Sequence, residues 1–313
     1  MKVSRGAYYD WLNQSSYQLS ESKLIIEQHI KGTFCEHKGR YGARRIMQEV
    51  RQSGLQISRY KTAGILRKFN LKAIQPRSFI PRTTDSKHAY KISPNVLVNK
   101  PWPQGVNQVW VSDITYIPLK DNRWCYLAVI MDLVSRKIIG WQLAGNMREQ
   151  LVIDALKKAL GKRKFKPALI LHSDRGGQYC SKLYRTIITE YLIDQSMSEA
   201  ANPYDNAFME SCFSRLKSEM IQGKHYECME DARAEIFEYI EMYYNRKRLH
   251  SGLNYRSPET YENDLENQLS LTSTNNRRYI IPKKDFSARG IDSLELKHKQ
   301  NSSSFPKEKG GIN

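Results

Sequence analysis

Residues 108–145 constrain the fold of this chain most strongly. NQVWVSDITYIPL, RWCYLAVIMDLV and RKIIGWQLAG are runs of β-branched and aromatic residues, separated by turn residues near Asp121–Asn122 and at Ser135. Side chains branched at Cβ suit a pleated sheet better than a helix, so three consecutive antiparallel strands are predicted. The pattern then alternates, with a helix at about 148–161, a strand over 168–174, a helix near 180–193 and a short strand around 195–198. Helices at about 206–221 and 229–246 close the unit. Mixed strands followed by alternating helices predict an α/β layer fold.

The first third of the chain has a different character. Residues 1–104 carry 19 basic and 6 acidic side chains, whereas residues 105–262 carry 22 and 20. A basic arm beside a near-neutral block predicts that the first part grips a polyanion on which the second part works. Residues 20–31 read as a helix, with Ser20 as N-cap and Leu24, Ile25 and Ile30 as apolar positions. Residues 41–71 read helix, turn, helix; Gly54 suits the stop of the first helix and Ser58 the cap of the second. Ile46 and Val50 are expected to pack against Ile65 and Leu66. That leaves Arg44, Arg45, Arg51, Arg59, Lys61, Arg67 and Lys68 for solvent or phosphate. Such a module can lay its second helix in a major groove. The other reading is a basic helical hairpin that packs on the core.

Pro76, Pro81, Pro94, Pro101 and Pro103 make residues 73–107 an extended linker, in which Arg77, Arg82, Lys87 and Lys91 track a DNA backbone or serve as a solvated tether. Beyond residue 263 the sequence is polar and without periodicity, so it reads as disordered. The expected organisation is therefore a basic helical region at 1–72, a linker at 73–107, a core at 108–262 and a tail at 263–313. Five cysteines (Cys35, Cys125, Cys180, Cys212, Cys228) form no CxxC pair, which disfavours a disulfide framework or zinc ribbon. His29, Cys35 and His37 read as ordinary residues rather than ligands. The longest apolar run, YLAVIM at 126–131, is too short to span a bilayer. A soluble, cytoplasmic chain is expected.

Three carboxylates stand out inside WVSDITYIP, LHSDRGGQY and ANPYDNAFMESCFSRLKSE: Asp113, Asp174 and Glu210, separated by 60 and 35 residues. Hard divalent cations take oxygen ligands, so converging carboxylates can hold a pair of them for phosphodiester displacement. Singly, each has an ordinary explanation: an Asp at a strand end caps a turn, and a Glu with a Lys on a helix is a solvated face. After Asp174 come Arg175, Gly176 and Gly177, where the backbone can approach a phosphate. Met209, Phe213, Leu216 and Met220 form a stripe of helical period, leaving Asn206, Glu210 and Lys217 on another face. Asp132 reads as a turn residue, Asp205 as a helix cap and Glu219 as exposed. His172 reads as a hydrogen-bonded structural histidine. Trp110, Tyr116, Trp124 and Trp141 read as core aromatics. For Tyr244, Asn245, Arg248 and His250, DNA contact and packing of the last helix stand side by side.

Taken together, W-x-x-D-x-T-Y, H-S-D-x-G-x-Q-Y, Glu210 followed seven residues later by Lys217, and YNRKRLHSGLNYRSPETYE (244–262) resemble a known family. It is that of OrfB-type transposases of the insertion-sequence three family, with their retroviral-integrase-like core, and the likeness covers residues 1 to about 262. The resemblance implies a ribonuclease-H-like mixed sheet flanked by helices, preceded by a small all-α helix-turn-helix-like domain. It implies that Asp113, Asp174 and Glu210 are catalytic and ligate metal, with two Mg²⁺ ions and Mn²⁺ as a substitute. Lys217, Arg44, Arg45, Arg59, Lys61, Arg67, Lys68, Arg175, Arg248 and His250 are then expected at DNA. Implied partners are double-stranded DNA (element ends and target), further copies of the chain, and the product of an upstream reading frame or a fusion with it. No membrane is expected, and the setting is the bacterial nucleoid. The rival readings are an inactive DNA-binding regulator or transposon remnant, and a plain ribonuclease-H-type nuclease.

Overall fold

The computed structural model describes residues 3–13, 21–75, 92–98, 100–198, 207–221 and 225–276. Its centre is a five-stranded sheet made from β1 (Val109–Pro118), β2 (Trp124–Asp132), β3 (Ile138–Ala144), β4 (Ile170–Ser173) and β5 (Asp194–Met197), in the order β3-β2-β1-β4-β5. The first three form the expected antiparallel meander, with Tyr116 opposite Tyr126 and Val129 opposite Trp141. Asp121 and Asn122 turn the first hairpin at φ 59° and 56°, the left-handed pair that matches the twist of the flanking strands. β4 and β5 are parallel to β1, so β1 lies at the junction between the antiparallel and parallel halves.

Alternation along the strands builds two cores. Val109, Val111 and Ile117 of β1 face one, while Trp110 faces the other. Helices α1 (Arg5–Leu12), α2 (Glu21–Glu36), α3 (Ala43–Gln52) and α4 (Arg59–Lys68) precede the sheet. Helices α5 (Glu149–Lys162) and α6 (Lys182–Glu190) cover the Trp110 face. The opposite face is covered by α7 (Ala207–Leu216) and α8 (Met229–Phe237), and its core extends into α2, α3 and α4. The helix α9 (Pro258–Asn276) follows. Gly140 permits the close seat of α5 on β3: a Cβ there would lie 2.9 Å from Ala159 Cβ and against the Ala155 carbonyl. This is the ribonuclease-H-like arrangement.

Two helices change pitch. α7 runs on as a π-helical turn over Lys217–Ile221, and α8 does so over Glu238–Tyr244. Wide turns of this type add a residue per turn and re-aim the side chains that follow. The Met209, Phe213, Leu216 and Met220 stripe is nonetheless buried.

The helix-turn-helix forms as expected. Ser58 accepts the Lys61 amide at 3.2 Å, Gly54 takes φ 89°, and Ile46, Val50 and Leu66 are buried with Ile65 beside them. The helix expected over 20–31 extends to Glu36, and Leu24 and Ile25 are exposed. Ile30 is buried and Ile26 partly so, which rotates the apolar face from the one expected. Ser20 lies outside the described residues.

The module is docked rather than tethered. Tyr41 Oη accepts the Leu249 amide at 2.7 Å, His37 Nδ1 lies 3.2 Å from Tyr243 Oη, and Arg45 Nε donates to the Leu249 carbonyl at 2.9 Å. Residues 1–268 accordingly form one compact unit. Of the expected linker, Ser93 Oγ donates to Gln195 at 2.8 Å and the Val96 amide to Ser196 Oγ at 3.0 Å, covering the open edge of β5. Arg77, Arg82, Lys87 and Lys91 lie outside the described residues. A second unit begins at Leu269. The reading of 263–313 as disordered needs correction over its first part, because α9 continues to Asn276; residues 277–313 lie outside the described part.

Candidate active site

β1 and β4 are parallel neighbours, with Val111 paired to His172. Two residues further along come Asp113, within β1 and on the face of Val109 and Val111, and Asp174, the residue directly after the end of β4. That face is the one covered by α7, whose first turn carries Glu210. Asp113 interacts electrostatically with each of the other two acids. Burial pushes the Asp113 carboxyl well above the usual carboxylate range, and the charges of Asp174 and Glu210 push it further. A hydrogen bond from the Ile114 amide (2.7 Å) and the charge of Lys217 oppose the shift. Like charges gathered in a partly desolvated place disfavour ionisation, which is the electrostatic signature of a functional site.

The carboxylates are held differently. Asp174 Oδ1 accepts the Gly176 amide at 3.0 Å. A Cβ on Gly176 would stand 3.1 Å from that same oxygen and 2.9 Å from Gln178 Oε1, so glycine is the residue that fits. Gln178 is itself fixed by donating to the Met147 carbonyl at 3.0 Å. On the far side of β1, Ser112 Oγ and the buried Tyr179 Oη meet at 3.1 Å, anchoring the turn after Asp174 to the sheet. Glu210 is exposed. Lys217 is half-buried, with Nζ 4.0 Å above the Tyr116 ring. Burial lowers its ammonium pKa from the usual lysine range, against an upward pull from Asp113.

The rival acids fall away. Asp132 is fully buried and caps its turn, accepting the amides of Asn107 (2.6 Å), Val134 (3.0 Å) and Ser135 (2.9 Å). Asp205 and Asn206 lie outside the described residues. His172 is buried with Nδ1 2.9 Å from Ser196 Oγ, a structural histidine as expected. Glu36, His37 and Glu49 bring possible ligand atoms within 4.8 Å of one another. Both ring nitrogens of His37 are already engaged, by Tyr243 Oη and by Glu49 at 2.9 Å.

Several expected DNA contacts require correction. Arg248 is fully buried and grips Glu219 with two guanidinium nitrogens, Nε at 2.8 Å and Nη2 at 2.5 Å. Glu219, expected to be exposed, is 8 % exposed and also accepts Tyr239 Oη at 2.9 Å. His250 is half-buried against Arg248 Nη1 at 3.2 Å; burial first, then the neighbouring arginines, lower its pKa to about 2. A neutral imidazole in that position offers no cation to a phosphate. Arg45 is spent on the Leu249 carbonyl and lies 3.9 Å from Glu219. Arg44, Arg59, Lys61 and Arg67 are exposed, as is Lys68, which pairs with Glu27 at 2.8 Å. Arg175 is half-buried with Nε on the Ser198 carbonyl at 2.8 Å. Of the aromatics, Trp110 and Trp141 are core, whereas Trp124 is 43 % exposed.

The C-terminal signature therefore packs. Asn245 bonds both the amide and the carbonyl of Ile138, each at 2.9 Å, and Glu262 takes Ser135 Oγ and Arg163, each at 2.7 Å. Glu219, expected at the surface, is the acid whose place the sequence did not reveal. No local signal marked the pairing: Arg248 follows Arg246 and Lys247 after the end of the helical segment at Tyr244, and burial alone sets it apart from them.

Models of known domains match three stretches: an integrase core domain over residues 103–203, a second integrase core domain model over 210–265, and a helix-turn-helix-like domain over 21–79. The transposase for insertion sequence element IS904 of Lactococcus lactis subsp. lactis (strain IL1403) is 41% identical over 238 residues, covering 76% of this chain and 93% of that protein. Transposase InsF for insertion sequence IS3A of Escherichia coli (strain K12) is 39% identical over 267 residues, covering 84% and 91%. Among solved structures, the HTLV-2 integrase catalytic core domain in complex with magnesium (trimeric form) aligns with TM-score 0.39 and 15% identity, over 50% of this chain and 96% of that one. The simian T-cell lymphotropic virus intasome in complex with a PP2A regulatory subunit aligns with TM-score 0.42 and 15% identity, over 78% and 74%. Two bacterial transposases that match along nine-tenths of their own length, together with the integrase core domain, establish the kinship: this chain belongs to the insertion-sequence three family of DNA transposases, enzymes of the DDE polynucleotidyl transferase type.

Proposed function

We propose that Asp113, Asp174 and Glu210 are the catalytic carboxylates, that they hold divalent metal, and that the chain uses them to cut and join DNA at the ends of its element. One observation carries this reading: two neighbouring strands and the helix above them bring three acids separated by 60 and 35 residues into electrostatic contact. The donor set fits a hard cation. It consists of carboxylate oxygens without the thiolates or imidazoles that select zinc, and the upward displacement of the Asp113 carboxyl is the strain a bound cation relieves. Two Mg²⁺ ions, or Mn²⁺ in their place, would when bound supply an activated water and neutralise charge on the phosphate under attack.

The chain's own residues do the positioning. Asp113 stands on β1 and Asp174 directly after β4, while Glu210 approaches from a helix. Lys217 presents its ammonium beside Asp113, where it can hold a non-bridging phosphate oxygen. Hydrolysis of one phosphodiester frees a 3′-OH, and that hydroxyl attacks a second phosphodiester. Neither step requires a covalent protein intermediate, so orientation and charge neutralisation carry the catalysis. The exposed cations Arg44, Arg59, Lys61, Arg67 and Lys68 offer a DNA-facing side on the docked helical module. Recombination at two ends is served by more than one copy on DNA, and we place the product of an upstream reading frame among its partners. No described helix is long and apolar enough to cross a membrane.

The test uses DNA carrying the element's own ends, with Mg²⁺ or Mn²⁺, and compares the wild-type chain with Glu210→Gln. Metal-dependent nicking and joining are expected in the former and absent in the latter, with DNA affinity retained. Cutting that survives the substitution would remove Glu210 from the site.

A further inference from the structure

We propose that Trp124 and Tyr116, together with Lys217, form a stacking subsite for one unpaired base of the DNA strand whose phosphate lies at the carboxylates. The proposal rests on the catalytic reading of Asp113, Asp174 and Glu210, and it adds a structural requirement for the substrate: the nucleotide next to the reacting phosphate is unpaired and unstacked.

The sheet is uneven at this point. Pairing of β1 with β4 stops at Val111 and His172, whereas pairing with β2 continues to Pro118 and Trp124. The half of β1 beyond Asp113 therefore forms a lip that projects past the end of β4. Tyr116 stands on this lip, three residues from Asp113, and Trp124 stands opposite its end. Their rings meet edge to face, 5.0 Å between centroids and 82° between planes. The Lys217 ammonium sits 4.0 Å above the Tyr116 ring and interacts with Asp113. Asp113 and Tyr116, three residues apart, point to opposite faces of β1, and the Lys217 ammonium links them at the strand edge that β4 leaves unpaired, with the exposed indole beyond.

The outermost member breaks the pattern of its strand. β2 is buried or half-buried along the rest of its length, yet Trp124 is 43 % exposed. A ring needed only to support Tyr116 gains by being covered, because exposed aromatic area costs hydrophobic free energy. An ammonium on one aromatic ring beside a second exposed ring suits a nucleotide: the cation takes the phosphate and the indole takes the base. A base paired in a duplex shows only its edges to a protein, so a flat ring can stack on it only after it leaves the helix.

The experiment measures the affinity of fluorescein-labelled probes by anisotropy, with Ca²⁺ in place of Mg²⁺. One probe is a blunt duplex carrying an element end; the other is the same duplex with its last three base pairs mismatched into a fork. The wild-type chain is expected to prefer the fork, and Trp124→Ala to reduce that preference by about 5- to 150-fold, the ratio equivalent to roughly 1–3 kcal/mol of base stacking. Trp124→Phe keeps an aromatic face and should retain most of the preference, which also guards against misfolding of the alanine variant. A wild-type chain that binds the two probes equally, or binds neither, overturns the proposal, and so does an unchanged ratio in Trp124→Ala. Nicking in Mg²⁺ is followed in parallel with Asp113→Asn as control. Normal metal-dependent nicking together with an unchanged ratio would sink the aromatic subsite alone, whereas nicking that survives Asp113→Asn would sink the catalytic reading.

Discussion

Removing Arg248 gives the sharpest test of how this fold is held together. Its guanidinium is fully buried on Glu219, which among the described residues keeps Tyr239 Oη and the more distant Arg45 once the partner is gone. Breaking a buried pair from one side leaves an uncompensated charge in the interior and costs about 3–5 kcal/mol. For a unit of this size each kcal/mol moves the melting temperature by roughly 2–4 °C, so Arg248→Ala should melt about 6–20 °C below wild type by calorimetry. The double variant Glu219→Gln/Arg248→Met should recover much of that loss, since it removes both charges. The pH dependence has a definite sign. Burial pushes the Glu219 carboxyl up, but the hydrogen bonds and charge of Arg248, helped by Arg45 and Tyr239, outweigh it and leave the pKa below the usual glutamate value. A depressed acid contributes stability that is present above its unfolded pKa and lost as pH falls through the folded one. The gap between wild type and Arg248→Ala should therefore be full at neutral pH and narrow below about pH 4.5, the ordinary glutamate value. A variant that melts within 2 °C of wild type yet loses DNA affinity would show the buried-pair reasoning to be wrong and would return Arg248 to the DNA surface.

Two further outcomes follow from the site and the sheet. Because the Asp113 carboxyl sits above its ordinary range, its ionised form is disfavoured in the fold, and stability is lost as pH rises from the unfolded value toward the raised one. Asp113→Asn should thus raise the melting temperature of metal-free protein at neutral pH while abolishing stabilisation by added Mg²⁺; an unchanged Mg²⁺ response would place the metal elsewhere. Gly140→Ala pushes a methyl into Ala159 and the Ala155 carbonyl, an overpacking expected to cost about 1–3 kcal/mol in denaturant unfolding, and a neutral result would mean that α5 can move away from β3.

Much of the architecture was legible because local chemistry and tertiary context agree there. The β-branched runs from 109 to 144 could be buried on both faces only as strands, and Asp121–Asn122 could turn a hairpin. Ser58 and Gly54 bounded the helix-turn-helix by capping rules that act over three or four residues. The three acids stood out through their motifs, and the parallel register of β1 with β4 explains how Asp113 and Asp174, 61 positions apart, come to neighbouring strand ends.

The strand and helix order between residues 41 and 246 could be read from the letters, since helix period, strand alternation and turn residues are properties of neighbouring positions. What each charge is for emerges only on packing. Arg248 and Lys217 look alike in a string of letters, but one is sealed against Glu219 and the other stands beside Asp113. The π-helical turn at Lys217–Ile221 rotates Glu219 inward, and no periodicity in the sequence announces that extra residue. The docking of His37, Tyr41 and Arg45 on residues 243–249 depends on contacts across some two hundred residues of chain. Whether a polar side chain meets water, phosphate or a buried partner is set by desolvation, and desolvation is a property of the packed whole.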